Sequence, residues 1–225
     1  GAQATATAKE YAGYTEDTEN SNRIASGTIA GDGSLVLKLY YKANTSTGYK
    51  VEHYKQKADG SYGDVADETE NLSGTTGASV NATAKEYAGY TEDTENSNRV
   101  ESGTIAGDGS LVLKLYYKAN TSTEYKVEHY KQKADGSYGD VADETENLSG
   151  TTGESVNATA KSYAGYTEDT ENSNRIASGT IAGDGSLVLK LYYKANTSTG
   201  YKVEHYKQKA DGSYGDVADE TENLS

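Results

Sequence analysis

Cysteine, methionine, tryptophan, phenylalanine and proline are all absent from this 225-residue chain. Without cysteine there is no disulfide staple, no thiolate ligand for zinc and no thiol nucleophile. Without either sulfur-containing residue nothing in the side chains suffers thiol or thioether oxidation, which suits a long-lived extracellular material. Cations are scarce, with 21 Lys and Arg against 35 Asp and Glu and a net charge of −14. Nucleic acid and anionic lipid both need clustered cations to displace counterions, so neither is expected as a partner. No apolar run approaches the roughly 20 residues of a membrane helix, so no membrane insertion is expected. With no initiator Met, signal peptide or sorting tail, the sequence reads as a processed piece whose cellular address lies elsewhere in its parent.

What is present is repetition. Lys9-Glu-Tyr-Ala-Gly-Tyr14 recurs from Lys85, 76 residues later, and Lys161-Ser-Tyr-Ala-Gly-Tyr166 follows after another 76. Residues 77–149 and 153–225 differ at only five positions, at Ala78/Glu154, Glu86/Ser162, Val100/Ile176, Glu101/Ala177 and Glu124/Gly200. An active site gains little from equal copies in one chain, whereas reach, avidity and stiffness grow with copy number. The first copy departs at Gln3, Ala4 and Thr5, where the next has Ser79, Val80 and Asn81.

Within one period, Tyr49-Lys-Val-Glu-His-Tyr54 is rich in strand formers and Asp59-Gly60 is a strong turn signal, predicting a hairpin of 49–57 with 61–70. Ala78 to Tyr87 fits a short helix through Val80, Ala84 and Tyr87, and also a strand through Val80, Ala82 and Ala84. Val100 to Ala106 reads as a strand, Gly107-Asp-Gly109 as a tight turn, and Ser110 to Tyr117 as the strongest strand, with Leu111, Leu113, Leu115 and Tyr117 on its core face. The expected core is Val51, Val65, Leu72, Val80, Val100, Ile105, Leu111, Val112, Leu113 and Leu115, thin for about 70 residues. The 21 tyrosines supplement it, and each that is buried needs a partner for its hydroxyl. Lys118 to Glu124 is a polar connector too short to allow wide swivelling.

These residues carry a resemblance. Tyr49-Lys-Val-Glu-His-Tyr54, Asp59-Gly60, Gly74-Thr-Thr-Gly77, Tyr87-Ala-Gly-Tyr90, Ser102-Gly103 and Leu111-Val-Leu-Lys-Leu-Tyr-Tyr117 together resemble the MucBP-like (mucin-binding protein) repeats of bacterial cell-wall adhesins. The near-identity of the copies resembles the high-identity stalk repeats of such proteins. The resemblance implies an α+β, β-rich fold, a tandem array of small β-grasp-like units arranged as an elongated rod. It also implies a cell-wall-anchored parent at the bacterial surface, and a host glycoprotein or glycan as a partner. Ala88 stands where that family often has Pro.

Candidate chemistry is sparse. His53, His129 and His205 are one repeated position, with no second His or Cys in the unit to complete a zinc site, and read as strand histidines packed by tyrosine. Ser34, Ser110 and Ser186 follow Asp-Gly turns with no base in a recognisable arrangement. The acidic runs 64–71 and 90–96 lack calcium-loop spacing and read as solvated loops. No catalytic residue, cofactor or metal is therefore expected. In the pairs Tyr40-Tyr41, Tyr116-Tyr117 and Tyr192-Tyr193 the first member, Tyr40, Tyr116 or Tyr192, is a candidate either for ligand contact or for packing.

If units begin at the tyrosine of Tyr49-Lys-Val, the chain divides into a C-terminal part at 1–41, complete units at 49–117 and 125–193, and an N-terminal part at 201–225. A cut at Gly74 to Gly77 is the other reading. The expected function is the stalk of a surface adhesin, projecting a binding domain from the wall. The alternatives are a multivalent mucin-binding or glycan-binding module and a filament subunit that self-associates head to tail by strand addition.

Overall fold

The computed structural model describes all residues, 1–225. The chain falls into two compact units, residues 1–121 with 151–154, and residues 122–150 with 155–225.

The first unit contains β1 (Gln3–Thr5), β2 (Tyr14–Glu16), β3 (Ser26–Thr28), β4 (Tyr41–Ala43), β5 (Thr47–Lys55), β6 (Glu68–Gly74), β7 (Ser79–Asn81), β8 (Tyr90–Glu92), β9 (Ser102–Thr104) and β10 (Val112–Ala119). Its main sheet has the order β6-β5-β10-β8. Strands β5 and β6 are antiparallel, with Thr47 opposite Gly74 and His53 opposite Glu68. The chain returns through β10, which runs parallel to β5 with Leu113 opposite Val51 and Leu115 opposite His53. β8 closes the other side, antiparallel to β10. A small ribbon of β7 and β9 accompanies this sheet. Residues 1–43 make the β1–β3 and β2–β4 ribbons and isolated bridges from Ile24 to Lys38 and from Tyr11 to Tyr14.

The second unit contains β11 (Thr123–Lys131), β12 (Glu144–Gly150), β13 (Ser155–Asn157), β14 (Tyr166–Glu168), β15 (Ser178–Thr180), β16 (Val188–Ala195), β17 (Tyr201–His205) and β18 (Glu220–Leu224). It repeats the four-stranded sheet as β12-β11-β16-β14, and β17 and β18 form a separate hairpin.

Both faces of each long sheet are used. On one face of the first sheet Val51, Leu113, Leu115, Tyr117 and His53 are buried, with Ile105 beside them. A Cβ on Gly103 would sit 2.6 Å from Leu111 Cδ1, so a larger residue there would make the Leu111 side chain shift. On the other face Tyr54 and Tyr116 stack with ring centroids 4.9 Å apart, and Tyr62 meets Tyr116 edge-on at 5.0 Å.

Five expectations need correction. The molecule is all-β and not α+β, because no helix forms anywhere. Of the Ala78–Tyr87 segment only Ser79–Asn81 is strand, as β7, and 82–87 is irregular, its backbone held by the Ala82 N–H to Glu101 O bond at 2.7 Å and the Lys85 N–H to Tyr117 hydroxyl bond at 3.0 Å. For so short a segment, tertiary partners outweigh a helix whose nucleation is costly. The Asp59-Gly60 turn forms, with Gly60 at φ 85° and Lys57 N–H bonded to Ser61 O, but the second hairpin strand begins only at Glu68. Asp67 accepts the Lys55 N–H at 2.6 Å and closes off the strand edge, leaving 61–66 as a loop. Val65, expected in the core, lies on that loop and is 83% exposed. The strand expected at 100–106 shortens to β9, with Val100 making only an isolated bridge to Lys114.

Candidate functional site

The most organised polar cluster surrounds His53, which is fully buried on β5. Its Nδ1 lies 2.9 Å from the Tyr117 hydroxyl and its Nε2 lies 2.8 Å from Glu70 Oε1. The strand alternation of β5, β6 and β10 puts these three side chains on one face, and the 28° stacking of His53 on Tyr117 fixes the ring. With Glu70 accepting from Nε2–H, the neutral imidazole's Nδ1 accepts a hydrogen bond donated by the Tyr117 hydroxyl. The Tyr117 oxygen in turn accepts the Lys85 N–H. The Lys85 ammonium reaches Glu68 at 2.5 Å and Glu70 at 3.4 Å, and the Tyr87 hydroxyl donates to Glu68 at 2.6 Å. The bond from His53 holds the Glu70 carboxyl below its ordinary value, and Lys85 and Tyr87 do the same for Glu68. Burial, then the Glu68 bond, pushes the Tyr87 hydroxyl up. The same network recurs at His129, with Tyr193 at 2.9 Å and Glu146 at 2.8 Å. At His205 only Glu222, at 3.2 Å, is present and the side chain is 46% exposed.

Every named member of this network is tied to another, and a groove of about 670 Å³ lies beside Lys85 and Tyr87, lined also by Glu86, Ala88, Tyr90 and Glu92. A buried tyrosine and histidine that satisfy one another specify the parallel β5–β10 register, since a slip would leave both unpaired.

The three candidate tyrosines differ in placement. Tyr116 and Tyr192 are each 6% exposed, covered by Tyr54 and Tyr62 and by Tyr130 and Tyr138 respectively. Tyr40 is half-buried, in a segment with no such cover. The covering rings have their own acceptors: Tyr54 donates to Glu52 at 2.6 Å and Tyr62 to Asp93 at 3.1 Å. Burial, reinforced by these carboxylates, pushes both hydroxyls up to about 12. Asp93, expected in a solvated acidic run, is buried. Although burial pushes its carboxyl up, Lys118, Asn96 and Tyr62 together hold it below the ordinary value, with Lys118 Nζ at 3.0 Å. Ser110 sits in the turn that sequence predicted, its N–H bonded to Asp108 Oδ1 at 3.0 Å.

A second cluster joins residues 1–43 to the sheet at 47–119, inside the first unit. Asn44 is splinted from both sides, its N–H bonded to Gly13 O at 2.8 Å and its carbonyl accepting the Thr76 N–H at 2.9 Å. The Thr76 hydroxyl meets the Thr47 hydroxyl at 2.7 Å in a buried contact. Gly107 presses onto Ala12 so closely that a Cβ there would lie 1.9 Å from Ala12 O. The corresponding Gly31, which no earlier copy meets, has nothing within 4 Å. The glycine of the Gly-Asp-Gly loop therefore serves packing between repeats, and the Gly-Thr-Thr-Gly step supplies the opposing hydroxyl. Sequence reading took both only as punctuation, and the single signal for more was their recurrence in every period. A groove of about 700 Å³ runs along the junction, lined by Thr15, Lys42–Gly48 and Gly107–Gly109 without an aromatic ring.

No family model matches the chain. Over 84% of its length it is 30% identical to Internalin J of Listeria monocytogenes serotype 4b (strain F2365), and over 86% it is 30% identical to Internalin J of L. monocytogenes serovar 1/2a (strain ATCC BAA-679 / EGD-e). The matched regions are 19% and 21% of those proteins, so the chain spans about a fifth of the length of the curated relatives it matches. Among solved structures it aligns with the type 2 repeat of the mucus binding protein MUB from Lactobacillus reuteri, at 13% identity and a TM-score of 0.21 over 66% of this chain and 100% of that one. It also aligns with streptococcal high-identity tandem repeat (SHIRT) domains 3–4 from a cell surface protein, at 16% identity and a TM-score of 0.21 over 66% of this chain and 98% of that one. Superpositions this loose bear on neither fold nor function.

Proposed function

We propose that this chain is a stretch of stalk from a bacterial cell-surface adhesin, built from units at 49–117 and 125–193 with parts of further units at 1–41 and 201–225. Its work is mechanical, holding a binding domain away from the wall that anchors the parent. The observation that carries this reading is the junction at Gly13, Asn44, Thr76 and Gly107, where successive copies meet through backbone hydrogen bonds and a glycine contact that leave little room for swivelling. Similarity to a fifth of Internalin J supports a place within a larger surface protein. The parallel pairing of the first and last long strands of each sheet supports a β-grasp-like relationship, and the sequence motifs support kinship with MucBP-type repeats.

Glycan binding by the repeats themselves is the weaker reading. A sugar stacks on an open ring face, and the faces of Tyr116 and Tyr192 are covered by other tyrosines. Retention of chains with one, three and six periods on immobilised mucin separates the two. A stalk shows no retention at any length, whereas a binder gains steeply with copy number. Steep gain would overturn the stalk.

A further inference from the structure

We infer that each complete repeat is a shear clamp. Tension along the chain crosses the parallel β5–β10 ladder, and in the next copy the β11–β16 ladder, so a repeat yields only when the whole ladder slips at once. This deepens the stalk reading and rests on it for the source of the tension, since a stalk between a wall and a held target is pulled whenever the two are drawn apart.

The topology sets the direction of loading. The chain enters the first complete repeat at Thr47, the start of β5, and leaves it at Ala119, the end of β10. These strands lie side by side and run the same way, with Val112 opposite Lys50 and Tyr117 opposite Lys55. Entry and exit therefore sit at opposite ends of one ladder, roughly 30 Å apart at about 3.3 Å per residue. Pulling on them drags β5 and β10 past each other along their own axes. All the bonds between the two then stretch together, whereas strands opened from a shared end lose their bonds one at a time. No other strand shares that path, because β6 pairs only with β5 and β8 only with β10. The second repeat, from Thr123 to Ala195, has the same arrangement.

The contacts that must break are concentrated on this interface. At one end the Lys50 N–H is bonded to Leu111 O at 3.0 Å. At the other the Gln56 N–H is bonded to Tyr117 O at 2.8 Å, and the Gln56 carboxamide oxygen accepts the Ala119 N–H at 3.2 Å. Across one face the Tyr117 hydroxyl is bonded to His53 at 2.9 Å, and across the other Tyr54 stacks on Tyr116 with the ring planes 12° apart. A slip of the ladder in either direction leaves buried His53 and Tyr117 without each other. Resistance to force follows the rate of unfolding and not the net stability, so a repeat with a thin core can still resist strongly.

Single-molecule force spectroscopy of the full chain tests this. The chain has no cysteine, so two introduced ones are unique attachment points. Ser46→Cys with Thr121→Cys pulls the β5–β10 ladder lengthwise. Ala58→Cys with Thr121→Cys opens it from one end, because residue 58 follows β5 on the side where β10 leaves. All three positions are exposed. Exchange protection of β10 as in the parent chain checks that each pair leaves the sheet folded, and Thr45→Cys replaces Ser46→Cys if it does not. Lengthwise pulling should unfold the repeat in one step that gains roughly 220 Å of chain, at about 3.4 Å per residue. Its unfolding force should be at least about twofold that of the end-opening pair at the same loading rate. Equal forces in the two geometries, or lengthwise extension in several smaller steps, would overturn the clamp. Neither result would change retention on mucin, so failure of the clamp is distinguishable from failure of the stalk reading.

Discussion

Replacing Tyr117 by Phe removes one oxygen atom and leaves the ring that fills the core. That oxygen serves the fully buried His53 Nδ1 at 2.9 Å and the part-buried Lys85 N–H at 3.0 Å. A buried donor or acceptor left without a partner costs about 1–3 kcal/mol, which is the loss expected from His53 Nδ1, with a smaller addition from the part-buried Lys85 N–H. The chain supplies its own controls. Tyr193 makes the same two contacts, to His129 and the Lys161 N–H, and Tyr193→Phe should cost as much. Tyr41 is half-buried and accepts only the exposed Lys9 N–H, so Tyr41→Phe should cost about 1 kcal/mol or less. Hydrogen exchange read by mass spectrometry fits the question, because the substituted peptide differs in mass from its near-identical copies. Protection of β10 amides should fall by at least tenfold, equivalent to about 1.4 kcal/mol, in Tyr117→Phe. If Tyr117→Phe and Tyr41→Phe behave alike, the buried network does not hold β5 to β10.

Three further outcomes follow from the same geometry. Gly107→Val should abolish the exchange protection of the Asn44 and Thr76 amides by forcing a side chain into Ala12, while Gly31→Val should leave both unchanged. Leu113→Ala should cost about 2–5 kcal/mol in chemical denaturation of the sheet it fills, against about 0.5 kcal/mol or less for Val65→Asp on the exposed loop. Melting temperature should fall on both sides of a neutral plateau. Tyr54, Tyr62 and Tyr138 have hydroxyls raised from 10.0 to about 12, so the stability they contribute is whole below 10 and is lost as pH climbs towards 12. Glu70 and Asp93 have lowered carboxyls, whose contribution is whole above their ordinary values of 4.5 and 3.8 and is lost as pH falls through the folded ones.

The repeated β units were legible in the sequence because copies of 76 residues are visible without any physics, and the Leu111–Tyr117 alternation announces a strand. The Asp59-Gly60 turn was legible for a similar reason, since its geometry is set by adjacent residues. What failed was non-local. Whether 61–67 pairs with β5 depends on Asp67 closing off that strand by a side-chain bond to the Lys55 N–H, which no propensity encodes. Whether 78–87 coils or extends depends on acceptors at Glu101 and Tyr117. The His53 network joins residues 17 and 64 positions apart, and only the alternation of Glu68 and Glu70 on a strand face hinted at carboxylates turned inward. Tyr116 could be assigned to a face but not to a partner, because its cover comes from a loop, at Tyr62, that sequence read as a strand.

The most direct test of the stalk is small-angle scattering from chains with two, four and six periods at a dilution that suppresses association. Stiff junctions predict a maximum dimension that grows by the same increment for each added period. An increment that shrinks as periods are added, as for a swivelling chain or a single globule, would contradict the account.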